Sequence, residues 1–315
     1  MKKICVTGAD GFIGNSLCEH LIKSNKSIRG LVRNLKPSKG NDKVEYLEIG
    51  DLSSNLNLID YMTGYDCVIH CAGKTHVMNN KNDLDIYRLA NSVVTKHLAE
   101  QAVQAGVKRF IFLSSVKVNG ENTNAIVDNS FFKNNDVPHP QDAYSISKLE
   151  AENSLWNISA KTNLEVIVLR LPLVYGYGVK GNMKQLMKLI NLGVPLPLGL
   201  VNNQRSLIGI DNLNDVISCC INHSVAAGKT FLVSDGEDLS TPELIRHLAA
   251  AMGSSVRLFP FPLTLLKLIG IIFGKQNEIG RLIGSLQIDI SDTRKILNWS
   301  PPLSAEKAIE RMVKN

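Results

Sequence analysis

Glycines at 8, 11 and 14, in "CVTGADGFIG" directly after a short apolar run, constrain this chain more than any other stretch. Glycine gives up more backbone freedom on folding than any other residue, so three at a regular interval need a physical reason. The run "KICVT" reads as a strand and residues 12–24 as an amphipathic helix, which puts the glycines at a strand-to-helix turn. There Gly8 permits the tight bend, Gly11 lets the backbone approach a ligand, and Gly14 lets the helix pack close to the strand. The helix start, at Phe12 and Ile13, then presents open N–H groups and a positive dipole end to an anion, most simply a pyrophosphate. The alternative is a glycine-rich turn that holds nothing. The strand before the turn and the helix after it favour the dinucleotide site.

The rhythm of the first half agrees. The apolar runs "KICVT", "SIRGLVR", "VEYLEI", "CVIHCAG", "RFIFLSS" and "EVIVLRL" alternate with helical patterns at 12–24, 84–105 and 143–161. Nearly continuous apolar strands between helices imply an α/β fold, a doubly wound parallel sheet covered on both faces. After "LRLPLVYGYG" the pattern loosens into Gly, Asn and Pro ("GVPLPLGLVNNQ"), then short strands and helices. The expected layout is a nucleotide-binding domain over 1–175, to which 205–222 returns, and a smaller C-terminal substrate lobe from 176–204 and 223–315.

Composition narrows the function. The 35 Lys and Arg residues outnumber the 29 Asp and Glu, but they are scattered, so a nucleic-acid patch is not expected. No secretory leader is visible in "MKKICVTG", and a cytoplasmic protein is expected. "LTLLKLIGIIF", residues 263–273, is too short to span a bilayer and carries Lys267. It reads as a buried or groove-lining helix, with docking on a membrane surface as the alternative. The six cysteines lack C-x-x-C spacing. Cys67, Ile69 and Cys71 share one strand face and His70 the other, so free thiols are expected and no metal.

Taken in order, "TGADGFIG", "GDLS" (50–53), "HCAGKTH" (70–76), Asn91, "GVKRFIFLSS" (106–115), "YSISK" (144–148), "LRLPLVYG" (169–176) and "RSLIGIDNL" (205–213) resemble the extended short-chain dehydrogenase/reductases. The likeness is to their nucleotide-sugar-modifying branch, the NAD-dependent epimerase/dehydratase family, and it implies a Rossmann fold. It also implies that Asp51 and Leu52 flank an adenine, that Ala72 and Gly73 line the ribose and phosphates, and that Asn91 braces the helix beside the nicotinamide. A mid-helix Asn bonded only to backbone is the structural alternative for Asn91. In place of the acid that would hold the 2′-hydroxyl of NAD stands Arg33 in "GLVRNLKPSK", with Lys36 and Lys39 nearby. A guanidinium suits a 2′-phosphate, so NADP is favoured over NAD. The alternative is that Arg33 stacks on the adenine or faces solvent, and NAD binds.

A Tyr-x-x-x-Lys pair is a common coincidence in a chain with 7 tyrosines, and the force of "YSISK" comes from its place one strand after "LSS". At i and i+4 the side chains of Tyr144 and Lys148 share a helix face. An ammonium beside the phenol would favour the phenolate, lower a pKa normally near 10, and fit Tyr144 for acid–base work near neutral pH. The resemblance assigns Ser115, with Ser114 as rival, to the reacting oxygen, and Lys148 to the nicotinamide ribose. Lys74, Ser115, Asn182 and Arg205 are its substrate contacts, Arg205 as the fork on a UDP diphosphate. Asn182 is otherwise a helix cap, and Arg205 otherwise a partner of Asp211.

Two departures matter. Sugar dehydratases of the family carry an Asp-Glu pair where this chain has Val116 and Lys117, so dehydration is not expected. Asn119 replaces a tyrosine common in the epimerases, which alters the sugar-facing wall. The expectation is hydride transfer at C4 of a UDP-sugar, first as reduction of a UDP-4-keto-6-deoxy-N-acetylhexosamine in bacterial polysaccharide synthesis, with UDP-hexose 4-epimerisation as the alternative. A redox sensor of this fold is a third option, disfavoured because Tyr144, Lys148 and Ser115 are all kept. Family members pair as homodimers through the helices of 84–105 and 143–161, where Leu98, Val103, Leu149, Leu155 and Trp156 are apolar. Each of these side chains serves equally well against the chain's own sheet.

Overall fold

In a computed structural model that describes residues 2–24, 26–35, 43–75, 83–123 and 131–314, the apolar runs become strands of one sheet. They are β1 (Lys3–Thr7), β2 (Ser27–Val32), β3 (Val44–Glu48), β4 (Cys67–His70), β5 (Arg109–Ser115) and β6 (Glu165–Leu171). Beyond them lie β7 (Leu173–Tyr175), β8 (Arg205–Gly209), β9 (Lys229–Leu232) and β10 (Asp238–Leu239). The main sheet runs β3-β2-β1-β4-β5-β6-β9, and every neighbouring pair is parallel. This is the doubly wound α/β fold. Its strand order reverses between β1 and β4, and ligands of such sheets bind at the carboxyl ends beside that switch.

The strands are apolar on both faces because both faces are covered. Ile4, Val6, Ile111, Leu113, Ile167 and Leu169 point into one layer, with Leu17 and Leu21 of the helix Phe12–Lys23 and Leu213 and Ile217 of Ile210–Asn222. Cys5, Phe110, Phe112, Val166 and Val168 point into the other, with Leu98 of Val94–Gln104 and Ala151 and Leu155 of Ala143–Ser159. Leu98 and Leu155 are therefore committed to the chain's own core.

Hydrogen bonding divides the chain differently from the sequence-based layout. Lys229–Leu232, expected in the substrate lobe, pairs with β6 and adds a seventh strand. Segment 205–222 is split: β8 joins β7 and β10 in a second, three-stranded sheet, while Ile210–Asn222 packs on the main one. A separate apolar cluster fills the lobe, with Tyr175, Ile190, Leu207, Leu248 and Ile309 at its centre. The helix expected over 84–105 contains one wide turn. Asp83–Tyr87 leads into a π-helical stretch, Arg88–Val93, before regular helix resumes. Such a bulge inserts one residue and re-aims side chains locally, and here it carries Asn91.

Candidate active site

The carboxyl ends of β1, β4 and β5 (Thr7, His70 and Ser115) form one rim, and the glycine turn opens on it. Gly8 has φ +66°, and a Cβ there would lie 2.8 Å from the Ala72 backbone nitrogen. A Cβ on Gly14 would lie 2.2 Å from the Gly8 carbonyl oxygen, which no side chain tolerates. Gly11 is the N-cap of the helix that starts at Phe12, and no side chain caps its first N–H groups. This backbone cradle of Gly8, Gly11, Phe12, Ile13 and Gly14, at a positive helix end, fits a dinucleotide pyrophosphate. Ala72 is half-buried across the turn, and Gly73 is exposed, where a Cβ would lie 3.3 Å from Lys148 Nζ.

The cofactor preference needs correcting. Arg33 Nε lies 2.7 Å from Asp51 Oδ1, with both side chains largely exposed. The guanidinium that favoured a 2′-phosphate is thus already engaged by a carboxylate, in an exposed and weak pair, and the preference for NADP is not supported. Leu52 is half-buried against the core layer beneath. Lys36 and Lys39 lie outside the described residues.

Ser115, Tyr144 and Lys148 come together at the rim. The helix Ala143–Ser159 begins with a capping box in which Asp142 accepts from the Ser145 N–H, and this fixes Tyr144 in the first turn. The Ser115 hydroxyl acts on the Tyr144 phenol and favours its ionised form. Ser114, the rival, instead donates to buried Glu152. Lys148 is buried, donates to the Leu113 carbonyl at 2.9 Å and stands 4.5 Å over the ring of Phe112.

The expected lowering of the phenol pKa does not occur in this arrangement. Burial pushes Tyr144 up to about 12, Asp142 and Tyr87 push the same way, and only the Ser115 hydroxyl opposes them. Burial also lowers Lys148 to about 8, although Glu152 partly restores it. Desolvation acts on both groups, and Lys148 is not among the charges that act on the phenol.

Asn91 is 1% exposed and grips the rim loop by its backbone. Its Oδ1 accepts from Lys74 N at 2.8 Å, and its Nδ2 donates to Lys74 O at 3.0 Å and Ser147 Oγ at 3.1 Å. The Lys74 side chain itself is exposed beside the site. From Asn91 the network continues downward: its carbonyl accepts from Thr95, whose hydroxyl is 3.0 Å from His70 Nε2, and His70 Nδ1 is 2.6 Å from the Thr7 hydroxyl. Burial and the Lys148 charge lower His70 to about 3, so the imidazole is neutral.

Five polar contacts below the rim escape sequence reading. Arg170 and Glu152 form a buried ion pair at 2.7 Å. An arginine inside the apolar run "EVIVLRL" was the available signal, because a buried charge requires a partner. Asn119 accepts from Arg170 at 3.0 Å and donates to the Lys133 carbonyl at 3.1 Å. Its side chain therefore belongs to this network and not to a sugar-facing wall. Lys117, which stands where dehydratases carry an acid, reaches Asp142 at 2.5 Å and Glu121 at 2.6 Å.

The second lobe holds the remaining candidates. Arg205 donates to the carbonyls of Arg281 and Gly284, both at 3.0 Å, while Asp211 pairs with Arg311. Burial and neighbouring Arg281 lower its pKa. Gly181 caps the helix Asn182–Asn191, so Asn182 is its exposed first residue and not its cap. Tyr175 is fully buried and donates to Asp235 at 2.6 Å at the lobe junction, whereas Tyr177 is exposed. Among the described residues no cluster of acids, histidines and cysteines could hold a metal ion.

A glycine cradle thus lies beneath a Ser-Tyr-Lys group on a doubly wound sheet. Residues 4–234 match the model of the NAD dependent epimerase/dehydratase family, and the chain belongs to that family. It is 41% identical over 314 residues to a UDP-glucose 4-epimerase of Vibrio cholerae, covering 98% of this chain and 94% of the relative. At 26% identity over 281 residues it is similar to an N-acetyl-α-D-glucosaminyl-diphospho-ditrans,octacis-undecaprenol 4-epimerase of Escherichia coli O157:H7, with 88% of this chain and 80% of the relative covered. Its fold matches that of a UDP-glucuronic acid 4-epimerase from Bacillus cereus in complex with NAD, with TM-score 0.78, 22% identity, and 99% and 97% of the two chains covered.

Proposed function

We propose that this chain is a UDP-hexose 4-epimerase that works with NAD, and that Ser115, Tyr144 and Lys148 carry its chemistry. The observation that carries the reading is the meeting of Ser115, Tyr144 and Lys148 at the rim beside Gly73 and above the glycine cradle. The 41% likeness to a UDP-glucose 4-epimerase supports it. The reductase expected first from sequence drew on Arg33 as a sign of exchangeable NADPH, and Arg33 is paired to Asp51.

Bound in the cradle, NAD supplies the acceptor and donor of a hydride at C4 of the sugar. Tyr144 takes the proton of the C4 hydroxyl and returns it once the 4-keto sugar has turned its other face. Ser115 holds that oxygen by a hydrogen bond. A phenol raised to about 12 by burial needs positive charge beside it to work near neutral pH, and Lys148 is the cation on the same helix face. Lys148 spends one of its three N–H donors on Leu113, and those that remain serve the nicotinamide ribose beside Gly73. Asn91 keeps Gly73 and Lys74 in place. In the lobe, Arg205, with Arg281 nearby, and the start of the Asn182 helix receive the UDP diphosphate.

The test is to release and identify any co-purified dinucleotide, then to offer UDP-glucose and UDP-galactose without added coenzyme. Interconversion in both directions is expected. A strict need for added NADPH or NADH, with turnover only of a 4-keto sugar, would return the reductase. The likeness to the undecaprenol-linked relative makes a polyprenyl diphosphate N-acetylhexosamine the second substrate class to assay. A homodimer is part of the same proposal: Leu89 and Val93 are exposed on the π-helical stretch beside the Tyr144 helix, and sedimentation velocity reads the association.

A further inference from the structure

An ordinary surface helix turns its stripe of i, i+3, i+4 and i+7 apolar residues inward. The helix Leu263–Ile272 does the reverse. Inward it buries Leu266 and Gly270, the latter so close to Ile279 of the next helix that a Cβ would lie 2.7 Å from that side chain. Outward, Leu265, Leu268, Ile269 and Ile272 form the i, i+3, i+4, i+7 stripe with exposures of 47, 51, 40 and 68%. Ile271 and Phe273 extend it at 58 and 72%. Single exposed apolar residues need no explanation, but five along one helix, with Phe273 at its C-terminal cap, mark an interaction surface.

Charge identifies the occupant. Over residues 254–284 the exposed cations Arg257, Lys267, Lys275 and Arg281 face one acid, Glu278, which reaches Lys275 at 3.3 Å. A second copy meeting this face would bring like charge against like charge. Anionic lipid headgroups meet the cations favourably and accept the apolar stripe at the acyl boundary. The helix has ten residues, about 15 Å of length, against a hydrocarbon core of about 30 Å. No helix among the described residues is long and apolar enough to cross a membrane. Lying in the interface is the mode this geometry permits.

We propose that the helix Leu263–Ile272 docks the protein on an anionic bilayer surface, with its outward stripe in the headgroup–acyl boundary and Lys267 among the phosphates. The next helix, Gln276–Ile283, leads to the carbonyls of Arg281 and Gly284 that hold Arg205, so the docked surface lies one helix away from the substrate lobe's anchor. The inference does not depend on which sugar is turned over.

The experiment is flotation of the full chain with vesicles of phosphatidylcholine, alone or with phosphatidylglycerol. The wild type is expected to float with the anionic vesicles and about tenfold less with the neutral ones. Ile272→Asp/Phe273→Asp is expected to cut partitioning by about tenfold or more, and Lys267→Glu by a smaller factor, with thermal unfolding unchanged. Equal flotation of the double variant and the wild type would overturn the proposal. So would a wild type that stays off all vesicles, or one that self-associates in solution through a face the double variant abolishes. Flotation reads no turnover, so its failure and a failure of the epimerase reading are separate results.

Discussion

Asn91 and Arg205 both spend a side chain on the backbone of a neighbouring loop, and they do so in different surroundings. Asn91 is sealed: its partners Lys74 and Ser147 are followed by Thr95, His70 and Thr7, a hydrogen-bonded column down to the sheet. Arg205 holds two carbonyls at the end of a short hairpin whose outer helix is exposed along its apolar side. In the first region, geometry is set by strands fixed on both sides. In the second, it depends on a few bonds between short elements. The proposed chemistry belongs to the first region and the proposed grip on the substrate to the second.

The sharpest test of this contrast is Tyr144→Phe. It should lower kcat about a thousandfold in a two-way UDP-hexose assay while leaving thermal unfolding in place. Wild-type turnover in that variant would remove Tyr144 from the site. Asn91→Leu comes next. It leaves the Lys74 N–H and C=O without their partner inside the protein, so stability to urea should drop by about 2 kcal/mol and kcat by about tenfold or more. Arg205→Lys should raise KM for the nucleotide sugar about tenfold with kcat nearly intact. If kcat collapses as well, the two regions are not separable in the way proposed.

Smaller effects concern pH. His70 is lowered to about 3 in the folded chain, so below its ordinary pKa of about 6.5 the unfolded chain binds a proton that the folded one refuses. Stability should therefore fall as pH drops from about 6.5 toward 3, and His70→Gln should flatten that limb in urea titrations. Burial alone would raise Asp142, but the bonds from Lys117 and Ser145 outweigh it and bring the carboxyl down to about 2. That contribution is present above the ordinary carboxylate pKa and is lost as pH falls toward 2. In Lys117→Met the loss should begin at higher pH, which far-UV circular dichroism would follow.

The sequence made the glycine cradle and the strands legible because each is a local pattern. Gly8, Gly11 and Gly14 are dictated by one turn, and the runs around Ile4, Ile111 and Ile167 by burial on both faces. What stayed hidden depends on distant partners. Arg33 could not be read without Asp51, eighteen positions on, swinging against it. The Tyr144 phenol follows its burial more than its spacing from Lys148. The extra residue of the π-helical stretch leaves no mark on an apolar periodicity, yet it is where Asn91 sits. In the second lobe the apolar helix within 263–273 was legible, but the carbonyls that hold Arg205 were not.

The outermost main-sheet strand, β9, comes from beyond β8 and the Ile210–Asn222 helix, so the chain leaves the central layer and must return to finish it. A fragment ending before Lys229 would leave β6, apolar from Val166 to Leu169, with a bare row of peptide groups along one side. Such an edge invites another fragment to pair with it. Engineering the lobes apart thus calls for a circular rearrangement that keeps Lys229–Leu232 with the sheet, because a simple cut would bare the edge of β6.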